Sequence, residues 1–246
     1  METNLNSNTK TVRLAASLFF FISLPMAIWS ETYVPSKIFV SQNPVATAEN
    51  LLANEFIFRT SIVGHVAGYM LFVFMLLLFY RVFRPVDKHL ALLMILPALA
   101  QVPVVFIAEG LHFTALMTLK SDPRGTFDAA RQHEVSYFLM RMYRYTMSPT
   151  KFFLGLSFIP FGMLIMRSGL APRVIGILVV ISGVSYVADS CCLFLLERAN
   201  YQMIGPILRS MFIGFAVALV WFMIKGIRDI TQKEHVIDKS NAMSHT

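Results

Sequence analysis

Glu109 and His112 lie three residues apart inside the hydrophobic run Leu90–Leu119. From Leu90 to Ala108 that run carries no charge. On a helix this spacing puts both side chains on one face. A charge in hydrocarbon costs roughly 2.5–3.5 kcal/mol on insertion scales, so an ionisable pair there marks a functional site by default. Four more ionisable residues interrupt apolar runs: Arg59, His65, Asp189 and Arg209.

Three chemistries are open to this set. His65, Glu109, His112 and Asp189 supply two imidazoles and two carboxylates, a donor set that suits zinc, manganese or iron. A metal-dependent membrane hydrolase would add an open coordination position and an activated water. Alternatively, Arg59 and Arg209 neutralise Glu109 and Asp189 as ion pairs that specify packing, with His65 and His112 as interfacial hydrogen-bonders. Thirdly, Glu, Asp and His chains serve as proton relays in membrane proteins. One Glu-x-x-His does not fix the remaining ligands. Ser190 adjoins Asp189, but no nucleophile–base spacing singles out a catalytic residue. No cofactor is assigned, and a divalent metal is the one that the set would suit.

The elements that position these residues follow from composition. The chain has 246 residues, 56% hydrophobic and 14% charged, with mean hydropathy +0.62. Soluble domains are nearer 25% charged, so the solvent for this surface is lipid. The reading is an all-α integral membrane bundle of six transmembrane helices. The spans are Val12–Ser30, Arg59–Tyr80, Leu90–Leu119, Thr150–Met166, Val174–Leu196 and Ile207–Lys225, each near the ~20 residues that a bilayer requires. Residues 1–246 form one domain, with 226–246 a polar cytoplasmic tail. Lys10 and Arg13 precede the first span, but no small-residue cleavage site follows it, so it is read as retained. Pro97 and Pro103 are expected to bend the long third span.

The net charge of +7 sits in short loops between apolar runs. That pattern speaks for membrane topology and anionic headgroups and against a nucleic-acid partner. Arg81–Lys88 and Arg167–Arg173 share a side with Lys10, Arg13 and the basic tail. By the positive-inside rule that side is cytoplasmic, with both termini inside. Cys191 and Cys192 are adjacent, a poor geometry for a disulfide.

The outer loops carry structure of their own. Asn43 is placed to cap a helix that Pro44 begins, running through Glu49, Leu52 and Phe56 into the second span. Tyr33–Lys37 reads as a turn before it. Ser121–Gly125 has a turn signature. Arg131–Met147 reads as a short interfacial amphipathic helix between spans three and four, with Tyr137, Met140 and Arg144 on one side. Ser148-Pro149 then restarts the chain as span four. Gly169 ends that span in a left-handed conformation, and Pro172 opens the next.

Several stretches carry a resemblance: Val40–Asn50, Asn54–Arg59, Arg84–Ala91 and Arg167–Leu178, closed by Gly183–Tyr186. The most specific is Ser-Gly-x-x-Pro-Arg-x-x-Gly from Ser168 to Gly176. Together they resemble the bacterial membrane family known as domain of unknown function 4386 (DUF4386), over about Leu14 to Lys225. The resemblance implies a multi-pass bacterial membrane protein, here of the inner membrane. It implies no activity and no catalytic residues.

With the spans placed, Arg59, His65, Glu109, His112, Asp189 and Arg209 all fall in the outer third at ~1.5 Å per residue. The inner half has almost no charge. This intramembrane polar layer favours a non-enzymatic component that binds or passes a small ligand from the outer face. A metal-dependent membrane enzyme and a structural or interaction protein are the alternatives. The expected partners are the lipid bilayer and a small ligand or another membrane protein.

Overall fold

The computed structural model describes residues 2–120 and 128–225. The expected turn at Ser121–Gly125 and the tail at 226–246 lie outside the described residues. Helix α1 begins as Glu2–Leu18 and continues through two π-helical turns, Phe19–Ser23 and Trp29–Tyr33, to Val34–Ile38. Then come α2 (Pro44–Ala53), α3 (Glu55–Phe83), α4 (Lys88–Lys120), α5 (Ala129–Ser168), α6 (Arg173–Leu195), α7 (Arg198–Ser210) and α8 (Ile213–Lys225). Among the described residues, six helical stretches are long and apolar enough to cross a membrane, the first being Asn8–Ile38 and the last Asn200–Lys225. Sequence-adjacent spans pack side by side, and α8 packs back on α1, so the six close into a ring.

Three expectations change. The first span does not stop at Ser30, because Tyr33–Lys37 is helical rather than a turn. Pro25 and Pro35 each lie two residues beyond a π turn. A proline has no N–H and its ring crowds the carbonyl four residues earlier. Widening the turn before it to a π geometry relieves that crowding and lets the helix continue.

The interfacial helix at 131–147 is also not separate. It forms the first half of the single 40-residue helix α5, which passes through Pro149 without a break. Around that proline, Ser148 donates to the Arg144 carbonyl (3.1 Å) and Thr150 to the Met147 carbonyl (2.6 Å). These side-chain bonds flank the Tyr145 carbonyl, which Pro149 cannot bond for want of an N–H, and brace the turn without replacing the lost bond. The aromatic and Arg residues of this stretch partly meet protein: Tyr137 stacks on Phe39 and its hydroxyl accepts from the Gln42 N–H, while Arg144 lies over Phe39. Finally, α2 does not run unbroken into the second span. Asn43 caps it as expected, accepting from the Ala46 N–H (3.0 Å), but Asn54 interrupts the helix before Glu55.

The opposite end of the ring is the basic one. There Asp87 accepts from the N–H groups of His89 and Leu90 and pairs with Arg167 (2.6 Å). The Leu90 amide holds the Asp87 carboxyl below its ordinary range, with Arg167 a smaller contributor. Arg13 donates to the Ile224 carbonyl, joining the first span to the end of the last.

Lipid supplies no hydrophobic force between helices, so close packing must hold them. Between α5 and α6 it is glycine that allows this. A Cβ on Gly155 would sit 2.5 Å from the Gly183 carbonyl oxygen, and one on Gly162 2.5 Å from that of Gly176. Ser182 ties α6 to the break between α7 and α8: its hydroxyl accepts from the Phe215 N–H and lies 2.9 Å from the Met211 carbonyl oxygen. Toward the basic end the interior is filled by Phe72, Phe79, Phe83, Phe158, Phe161 and Phe222. A smaller apolar group, including Val34, Leu51, Phe58 and Leu116, sits toward the α2 end. Gly162→Ala forces the α5 and α6 backbones apart and is expected to cost about 1–3 kcal/mol. Gly110→Ala meets nothing within 4 Å and is expected to be neutral or better. Thermal unfolding of both variants in detergent checks the contrast.

Candidate functional site

Four spans place side chains at one point between those two apolar groups. The second π turn of α1 holds Glu31, whose side chain is 46% exposed. Helix α3 brings His65, with only 1% of its side chain exposed. Helix α4 brings Glu109 and His112, both buried. Helix α5 brings Tyr143.

His65 joins these elements. Its Nδ1 is in short hydrogen-bond contact with Oε1 of Glu109, and its Nε2 lies 2.9 Å from Oε1 of Glu31. The Tyr143 hydroxyl is 3.2 Å from the same Nδ1. The Tyr143 ring stacks on His112 (centroids 3.3 Å apart, 15° between planes), and Tyr69 meets His65 edge-on. His112 Nδ1 lies 3.3 Å from Oε2 of Glu109, within ion-pair range. The angles do not make it a hydrogen bond, so that buried oxygen has no hydrogen-bond partner.

The bonding imposes a proton count. A neutral imidazole has one N–H and one acceptor nitrogen, and an ionised carboxylate only accepts. With both ring nitrogens facing carboxylate oxygens, two hydrogens are needed for two bonds. Either His65 is an imidazolium or one carboxyl keeps its proton. Moving that proton from Glu31 through the ring to Glu109 exchanges one bonded arrangement for the other. Imidazole is suited to such shuttling because both nitrogens can carry hydrogen.

Asp189 is not part of this group. It is buried, accepts from the Tyr201 hydroxyl (2.9 Å) and pairs with Lys151 (3.3 Å), in a second cluster between α5, α6 and α7. Of the four metal-ligand candidates, then, only His65, Glu109 and His112 come together. Among the described residues, no three His, Cys, Asp or Glu side chains are arranged to hold a metal ion. His65 has both ring nitrogens turned to carboxylates, which leaves neither aimed at a shared point.

Neither arginine plays the expected neutralising part. Arg59 pairs with Glu55 one turn earlier (2.8 Å), and Glu55 also takes Lys120 across to α4 (2.7 Å). Arg209 is exposed and donates to the Gly205 carbonyl of its own helix. Local i,i+4 partners are available without desolvating a guanidinium, whereas pairing deep in the bundle carries that penalty. Cys191 and Cys192 are free thiols.

Sequence reasoning missed Glu31, Tyr143, Lys151 and Tyr201. Glu31 stood one residue past the expected end of the first span. Tyr143 and Lys151 were divided between two elements that are one helix.

Removing one partner of a buried charged pair typically costs about 3–5 kcal/mol, while apolar replacement of both is often near neutral. His65→Ala is therefore expected to destabilise the protein on that scale. The double variant His65→Leu/Glu109→Leu should recover much of the loss. Thermal unfolding in detergent measures both.

A family model described as Domain of unknown function (DUF4386) matches residues 4–226. No curated protein and no solved structure matches the chain.

Proposed function

The chain belongs to the DUF4386 family, a domain of unknown function, and we propose that it is a non-enzymatic multi-pass membrane protein that binds a small ligand in a proton-linked manner. The binding group is Glu109, and His65 exchanges a proton between it and Glu31. One observation carries this reading: a buried imidazole bridges a half-exposed carboxylate and a buried carboxylate that keeps one oxygen free of hydrogen bonds. A ligand that donates to it would complete the site.

The aromatic filling toward the basic end supports binding over passage. Its buried residues Phe79, Phe83, Phe161 and Phe222 are 0% exposed, and dense packing of this kind leaves a solute no path. We further assign the α2 end to the outside of a bacterial inner membrane, with the Asp87–Arg167 end in the cytoplasm, because the short basic loops gather there. Reporter fusions after Lys88 and at residue 123 test the sidedness. The expected result is opposite compartments, and a shared compartment overturns the topology.

The proton link is tested by NMR of protein with ¹⁵N-labelled histidine and ¹³C-labelled glutamate in lipid nanodiscs. The expected result is that His65 and Glu109 titrate as a coupled pair with shared apparent steps, and that Glu31→Gln displaces both. Independent titration of His65, unmoved by Glu31→Gln, sinks the relay.

A further inference from the structure

Tyr143 takes no part in either bonded arrangement of His65 with its carboxylates, yet its hydroxyl stands 3.2 Å from Nδ1 of His65. That nitrogen already faces Oε1 of Glu109. An imidazole nitrogen has one bonding position: it carries one hydrogen or offers one lone pair. A carboxylate and a hydroxyl at the same nitrogen are therefore alternatives. While Nδ1 carries a hydrogen, the ionised carboxylate takes it, because a charge-assisted bond is stronger than a neutral one. Once Nδ1 is bare, an ionised carboxylate has no hydrogen to offer and the tyrosine does.

The other neighbours leave this part to Tyr143. Glu31 of α1 lies on the Nε2 side of the ring. Tyr69, on the same helix as His65, presents a ring edge and turns its hydroxyl to Thr150. His112 of α4 has its Nδ1 3.3 Å from Oε2 of Glu109. Arg59 and Lys120 are engaged with Glu55, and Lys151 with Asp189. The Tyr143 ring is held by its stack on His112. A hydroxyl both donates and accepts, so rotation about its C–O bond is enough to change its role.

We propose that Tyr143 is the positioning residue for proton release from this site: when the extra proton leaves, its hydroxyl takes the place of Glu109 at Nδ1 of His65. The balance is one proton. Before release, the imidazolium donates to Glu31 from Nε2 and to Glu109 from Nδ1. After release, His65 keeps a hydrogen on Nε2 for Glu31, Tyr143 donates to Nδ1, and Glu109 stays ionised. Oε2 of Glu109 then turns to His112, whose Nδ1–H supplies a bond from the same helix. The proposal rests on the proton-linked reading of Glu109 and adds a direction to it. The oxygen offered to a ligand is open while the proton is held and closed by His112 once it leaves.

Tyr143→Phe keeps the ring on His112 and removes only the hydroxyl. The test is ¹⁵N NMR of the His65 ring nitrogens across pH, in full-length protein in lipid nanodiscs, which tells a bare nitrogen from a protonated one. Above its titration step, wild-type His65 is expected to show Nδ1 bare and Nε2 protonated. In Tyr143→Phe a bare Nδ1 has no donor and faces an ionised Glu109, whereas half-exposed Glu31 can turn to water. Neutral His65 should therefore carry its hydrogen on Nδ1. Its titration step should also rise by about 0.4–1 pH unit, the size of one net hydrogen bond lost from the deprotonated form. An unchanged tautomer in Tyr143→Phe overturns the proposal, as does a wild type whose neutral His65 is protonated on Nδ1. If Tyr143→Phe does not fold, ¹³Cζ-labelled tyrosine in the wild type decides. The Tyr143 signal must move at the His65 midpoint, and a signal that stays put sinks the idea. Coupled titration of His65 and Glu109 with an unchanged tautomer removes this proposal alone. A tautomer change with a step unmoved by Glu31→Gln removes the relay and leaves Tyr143 its role.

Discussion

An imidazole with both nitrogens turned to carboxylates cannot be satisfied without an extra proton, and in this protein that imidazole is nearly inaccessible. The rest of the site answers to this constraint. Glu31 must reach in from α1, Glu109 must project from α4, and His65 must stand between them on α3. Tyr143 and His112 then stack beside the pair and close it from α5 and α4. Displacing any one of these helices by an ångström would strand a buried polar group, which destabilises by about 1–3 kcal/mol. The bridge thus acts on the bundle as well as within it, drawing together spans that lipid alone gives no reason to associate.

The packing that tolerates such a site is concentrated elsewhere. Gly155 against Gly183 and Gly162 against Gly176 bring α5 and α6 into backbone contact. This fixes α5, and with it Tyr143 and Lys151. The phenylalanines toward the basic end fill the remaining interior. One half of the molecule is consequently dense and apolar. The other half accommodates two separate polar clusters, one at His65 and one at Asp189. Segregating them matters electrically. Lys151 satisfies Asp189 locally, so the carboxylates around His65 are left to His65 and His112.

Much was legible from residues alone. Hydropathy placed six spans, and six helical stretches of the required length are present, with α4 at Lys88–Lys120 nearly where Leu90–Leu119 put it. The Asn43 cap and the left-handed Gly169 (φ 66°) follow from local chemistry, and both are found. Counting depth along the helices put His65, Glu109 and His112 together, but it put Asp189, Arg59 and Arg209 with them, and those three take other partners. Prolines were the hard case. Pro35 falls in the expected Tyr33–Lys37 turn and Pro149 at the expected start of span four, yet each lies within a continuing helix. A proline removes one bond, but a helix can pass it by widening into a π turn beforehand or simply without that bond, and nothing local in the sequence announces which will occur.

What the sequence determined by itself is therefore the class of protein, which rests on a one-dimensional quantity, apolar run length, while residues counted along a rise gave only an expected polar layer. What only the tertiary structure decided is who bonds to whom within that layer. Rotation about each helix axis sets the partner, and two π turns in α1 change that rotation for Glu31. It is this that gave His65 two carboxylate partners, left Arg59 and Arg209 to local partners, and moved Asp189 into a cluster of its own.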